Sequence, residues 1–195
     1  MEKTKKTGES KRIQKTLDNF LKFNPNQKIQ KERMNFSEGS KFDSFSFFGD
    51  FWKFGNNCHF GDKCEFQRGN IFGNNCTFGE NCYFDYSANF GENCEFGSKC
   101  KFSFSNSFAK NCHFQNECKF SHSERFSPNC KFENDCKFSH SSKWENECNF
   151  GSNCKFSHHL NFGSKCKFSR NCSFERDTKF GLKCKFGLNC KFEKK

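Results

Sequence analysis

The chain has 195 residues and a formal net charge of +11. Thirty-two residues are Phe and sixteen are Cys, with little Leu, Ile or Val, a bias far from that of ordinary globular domains. No apolar run approaches the ~18 residues of a membrane span, and the start, MEKTKKTGESKR, lacks the apolar stretch of a secretory signal. These features predict an intracellular protein, cytoplasmic or nuclear. In that reducing setting the cysteines are expected as metal ligands or buried free thiols rather than as disulfides. The basic balance favours an acidic partner: nucleic acid, anionic lipid or acidic protein.

Residues 1–35 stand apart. They hold ten Lys or Arg against four Asp or Glu. Ile13, Leu17, Phe20 and Leu21 fall on one helical face, and Pro25 comes after them. The expectation is a basic, partly disordered arm ending in a short amphipathic helix that caps the open end of the repeat region. From Phe36 to Phe54 the residues suggest an irregular opening coil without Cys.

Residues 36–195 are governed by a repeat. Every sixth residue from Phe36 to Phe192 is Phe, with Trp144 the sole substitute, giving 27 consecutive positions. The cysteines run from Cys58 to Cys190 with spacings alternating between 6 and 12, a period of 18. In Cys-x-Phe the outer two residues are two apart and share one side of a strand. The three residues after each Phe are rich in Gly and Asn, which tolerate positive φ, and turn the chain. A strand and a corner every six residues close a triangular coil of 18. Stacking such coils buries a face that no coil can bury alone. A helix fails, because a six-residue period wanders around a 3.6-residue turn. The predicted fold is all-β, a parallel β-helix of about nine coils and about 40 Å in length.

Phe-Gly-Glu-Asn-Cys-Glu, Phe90 to Glu95, resembles the hexapeptide-repeat left-handed β-helix family, with Phe where that family has an aliphatic residue. The resemblance covers residues 36–192 and implies a left-handed coil. Many members are acyltransferases or carbonic anhydrases, whose sites need loops that interrupt the coil. Here the hexad runs without an insertion, and no phosphate loop, nucleophile elbow or carboxylate pair appears. The residues therefore point to a non-enzyme with no catalytic site.

A second resemblance competes. Cys130-Lys-Phe-Glu-Asn-Asp-Cys136-Lys-Phe-Ser-His140 resembles the second half of a CCCH zinc finger. Cys112, Cys118 and His122 repeat the pattern, as do Cys148, Cys154 and His158. That resemblance implies zinc held by three thiolates and one imidazole, and RNA contacts through exposed aromatics. The histidine position, however, reads Arg68, Tyr86, Phe104, His122, His140, His158, Arg176 and Lys194 through the repeats. Five units thus lack the fourth ligand while keeping both cysteines. A packing rule covers all eight units, with Cys as a small filler beside the rings and no cofactor.

The outward residue after the second Cys of each unit places Lys101, Lys119, Lys137 and Lys155 in one column, with Lys191 beyond. Lys131, Lys167 and Lys185 lie on a neighbouring face. Like charges at strand spacing repel, and a polyanion relieves that repulsion. The main expectation is a non-enzymatic scaffold presenting lysine columns to nucleic acid or another polyanion. The alternative is a tandem zinc-binding protein contacting RNA. Lysines that merely discourage aggregation are the plainer reading, and flat solenoid faces would also suit pairing of two copies. The poorest fit to a solenoid is Glu124, which the register places inside.

Overall fold

The computed structural model describes residues 33–193. The expected N-terminal helix lies outside the described residues. Twenty-seven short strands wind into nine coils, and each coil gives one strand to each of three nine-stranded sheets, here faces A, B and C. Successive coils pair in parallel at an offset of one repeat, as in Phe36↔Phe54 on face A, Phe60↔Phe78 on face B and Phe84↔Phe102 on face C. The first residue of a strand faces out and the second faces in. Lys101 is exposed, for example, while Phe102 is buried.

The core is built almost wholly of rings. Phe102 stacks on Phe84 and Phe120, each at a centroid distance of 4.8 Å and an interplanar angle of 3°. It meets Phe96 and Phe108 edge-on at 5.2 and 5.1 Å. Three columns of parallel rings thus meet edge-to-face along the axis, combining the two arrangements that the aromatic quadrupole favours. Trp144 keeps the register, stacking on Phe126 at 5.4 Å and Phe162 at 4.3 Å.

The corners differ from the simplest expectation. The left-handed backbone falls four positions into each hexad, and ordinary residues adopt it: Asn93 (φ 57°), Lys99 (φ 64°) and Ser105 (φ 56°). A non-glycine residue there costs about 1–2 kcal/mol. In return its N–H reaches the next coil, Asn93 to Lys110 O at 3.1 Å and Ser105 to His122 O at 2.8 Å. Asn is frequent at this position because its side chain also bonds along the axis, Asn93 Nδ2 to Asn75 Oδ1 at 3.2 Å and Asn111 Nδ2 to Asn93 Oδ1 at 3.0 Å. The glycine after a ladder Phe serves close approach instead. A Cβ on Gly97 would lie 2.6 Å from the carbonyl carbon of Gly79.

The opening coil is regular, contrary to expectation. Asn35–Phe36, Lys41–Phe42 and Phe47–Phe48 pair in register with the coil above. Ser40 and Ser46 stand where later coils have Cys, and their hydroxyls donate to Ser37 O at 2.7 Å and Asp43 O at 2.6 Å.

Candidate nucleic-acid interface and the cysteine columns

The cysteines form two inward columns, one leading into face B and one into face C. All sixteen are free thiols, and all but Cys184 and Cys190 are buried. They do more than fill space. Cys94, Cys112 and Cys118 each donate to the carbonyl 21 residues earlier, Gly73, Gly91 and Gly97, all at 3.4 Å. A small apolar residue would leave those corner carbonyls without this partner. Hydrogen bonding to the thiols of Cys118 and Cys82, with burial, holds Cys100 well above the ordinary thiol range.

The third inward column, on face A, is mixed: Asn70, Ala88, Asn106, Glu124, Ser142 and Leu160 are all buried. Glu124 is not displaced outward. Its Oε1 accepts from Asn106 Nδ2 at 3.5 Å, while its Oε2 and the hydroxyl of Ser142, one coil on, have no partner. Burial pushes the Glu124 carboxyl up to about 9, against which the Asn106 bond pulls only partly. At neutral pH it is therefore a carboxylic acid.

On the outside of face C the register places Lys101, Lys119, Lys137 and Lys155 directly one above another. Among the described residues, none of these four has an acidic group within ion-pair distance. Lys191 lies two coils further along the same face, beyond Ser173. Face B is different. Lys131 is engaged by Glu133 at 2.6 Å, and its ammonium, with His113, holds the Glu133 carboxyl below its usual range. Lys131 is separated by Asn149 from Lys167, which pairs with Lys185.

Four strands of face C are twice the usual length: Tyr83–Tyr86, Lys101–Phe104, Lys119–His122 and Lys137–His140. Their last residues turn outward at the corner between faces C and A and stack. Tyr86 lies 4.7 Å from Phe104, Phe104 4.8 Å from His122 and His122 5.1 Å from His140, while His158, one coil on, lies 5.5 Å from His140 with its ring tilted by 51°. The histidine column was legible from the period. That Tyr86 and Phe104 extend it into one ladder of rings was not drawn from the sequence, although both occupy the histidine position of their repeats.

Fold and surface together define the class: a parallel β-solenoid with an aromatic core, thiol-lined corners and a column of lysines on face C. Residues 52–67, 71–85, 88–103, 107–122, 125–140, 143–158 and 179–192 match the family described as RNA-binding, Nab2-type zinc finger. The matches span more than half of the chain, and the chain belongs to this family. It is an RNA-binding family and not a family of enzymes. No curated protein and no solved structure matches the chain.

The family implies zinc, and the described residues do not fit it. Cys112 leads into face B, Cys118 into face C, and His122 lies outside the corner between C and A. Both thiols point inward onto carbonyls, while the His122 ring sits in the external ladder. Cys130, Cys136 and His140, and likewise Cys148, Cys154 and His158, are divided in the same way. Among the described residues no three His, Cys, Asp or Glu side chains converge as a tetrahedral zinc site requires.

Proposed function

We propose that this chain is a non-enzymatic RNA-binding scaffold that holds the polynucleotide through the lysine column of face C. The observation that carries the reading is the run Lys101–Lys119–Lys137–Lys155, in register over four coils and without an acidic partner among the described residues. Cations held this close gain when phosphates replace their neighbours' repulsion, and displaced counterions supply affinity that is largely independent of base sequence. The family's RNA-binding description supports RNA as the polyanion. In this reading the rings supply rigidity, the thiols satisfy the corners, and the outward residues bind.

The test is RNA affinity as a function of salt. Replacing the four lysines by Gln is expected to reduce the magnitude of the slope of log K against log salt by about 3, from ~0.7 per phosphate neutralised on a single strand. An unchanged slope would remove face C as the binding surface. The second reading, zinc-dependent fingers contacting RNA, is favoured by the family match. Its mark would be loss of both fold and RNA binding on metal removal.

A further inference from the structure

The ring ladder lies between two basic banks. On one side stand Lys101, Lys119, Lys137 and Lys155 of face C. On the other, Arg125 and Lys143 project side by side from face A, in the first strand position after the corner. Beside the ladder, over face A, runs a groove lined by Ser105, Ser123, Ser141, Arg125 and Lys143, with Glu124 and Glu145 also in its wall. Apart from the buried Glu124, and Glu145 at the far edge of face A, the corner is poor in acid along its central coils. Asp85 near Tyr83, and Glu175 and Asp177 beside His158 and His159, sit toward the ends of the ladder. The acidic corner residues of the same coils lie elsewhere: Glu92 and Glu147 between faces A and B, Glu117 and Asp135 between faces B and C.

Resting on the RNA-binding reading, we propose that the corner between faces C and A is a channel for one unpaired RNA strand running along the rod axis. The ladder forms one wall, and the two basic banks hold the phosphates. The rings give the channel its direction, because the ladder of outward rings repeats along the axis at this one corner. The ladder spans about 20 Å at one strand spacing per ring, long enough to engage several nucleotides. Since the rings are stacked on each other, they offer their edges outward rather than their faces. Those edges, the imidazole nitrogens of His122 and His140, and the corner hydroxyls are groups that meet ribose and exposed base edges. An A-form duplex buries its base edges in a deep, narrow major groove and presents mainly backbone and a shallow minor groove. The channel therefore favours a single strand.

The test compares variants by fluorescence anisotropy with labelled oligouridylate over a salt series, with circular dichroism confirming the sheet. The ladder variant replaces Tyr86, Phe104, His122 and His140 by Asn, the residue that already occupies the corresponding place at other corners, as at Asn74 and Asn134. It is expected to lose at least tenfold in affinity with its salt slope unchanged, because no phosphate contact is removed. Replacing Arg125 and Lys143 by Gln is expected to lower the magnitude of the slope by about 1.4, at ~0.7 per contact. Photocrosslinks from thiouridine are expected at Tyr86 or Phe104. If the ladder variant binds like the parent while the lysine variants weaken, RNA lies on face C but not over the corner, and the channel is refuted with the broader reading intact. If the parent shows no salt-dependent binding, both fall. Equal affinity for duplex RNA, or equal competition by polyglutamate, would also overturn the channel.

Discussion

Replacing Glu124 by Gln is expected to stabilise the protein, and to do so only above acidic pH. In the unfolded chain the carboxyl ionises near its ordinary value of 4.5, whereas in the fold burial raises it to about 9. Below pH 4.5 both states carry the proton and the group contributes nothing to pH dependence. Between 4.5 and 9 the unfolded state releases its proton while the folded state keeps it, so parent stability falls by about 1.4 kcal/mol per pH unit. Above 9 both states are ionised and the penalty is at its full size. At pH 7 the interval is about 2.5 pH units, a cost of about 3 kcal/mol. Gln has no such penalty, and its amide can donate to the orphaned Ser142 hydroxyl. For a protein of this length the gain corresponds to roughly 6–12 °C in Tm at pH 7, shrinking toward zero at pH 4.5. Urea unfolding followed by far-ultraviolet circular dichroism, run for both proteins at pH 5, 6, 7 and 8, provides the check. The difference between the two cancels the other titrating groups, so its slope isolates Glu124. A difference that stays constant across that range would show that Glu124 is ionised in the fold, and the buried neutral acid would have to be abandoned.

Three further outcomes test the core. Phe102→Ala removes a ring that stacks on two neighbours and meets others edge-on; it should cost about 3–5 kcal/mol, and Phe102→Leu distinctly less, as read by chemical denaturation. Cys100→Ala should cost about 1–3 kcal/mol by leaving the Gly79 carbonyl, now 3.3 Å from the thiol, without its donor. Cys100→Ser should recover part of that, because a hydroxyl can donate in the thiol's place; equal losses would argue that the thiol only fills space. In native protein, a thiol reagent should label Cys184 and Cys190 well before the fourteen buried cysteines, and a strong chelator should leave the sheet signal intact. Collapse of the fold on chelation would show that zinc, not ring packing, holds the coils.

The coil itself could be read without coordinates, because a period of six held over 27 positions admits few backbones. Strand parity comes from Cys-x-Phe, and the stacking of like residues at an 18-residue offset comes from closure after three hexads. Hence the in-register lysines of face C and the histidine column were both legible. The resemblance of Cys-x5-Cys-x3-His to a zinc finger was legible too, and the family match upholds it as kinship. What spacing alone could not decide is whether two cysteines and a histidine converge. In this fold six residues carry the chain around a corner, so Cys112 and Cys118 fall on different faces and His122 outside both.

Three other features needed the tertiary structure, each because it depends on what lies a full coil away. A thiol and the carbonyl it bonds are 21 residues apart in sequence and neighbours only after stacking. The Glu124 carboxyl is neutral because coils above and below exclude water from it, which its own hexad does not specify. Tyr86, Phe104 and His122 share a repeat position but not a residue type, and become one ladder because parallel pairing sets their rings face to face at a single strand spacing. Periodicity alone was enough to choose the backbone, since every hexad makes the same demand. The surface and the protonation states were decided by stacking, since they depend on which unlike residues the repeat brings together.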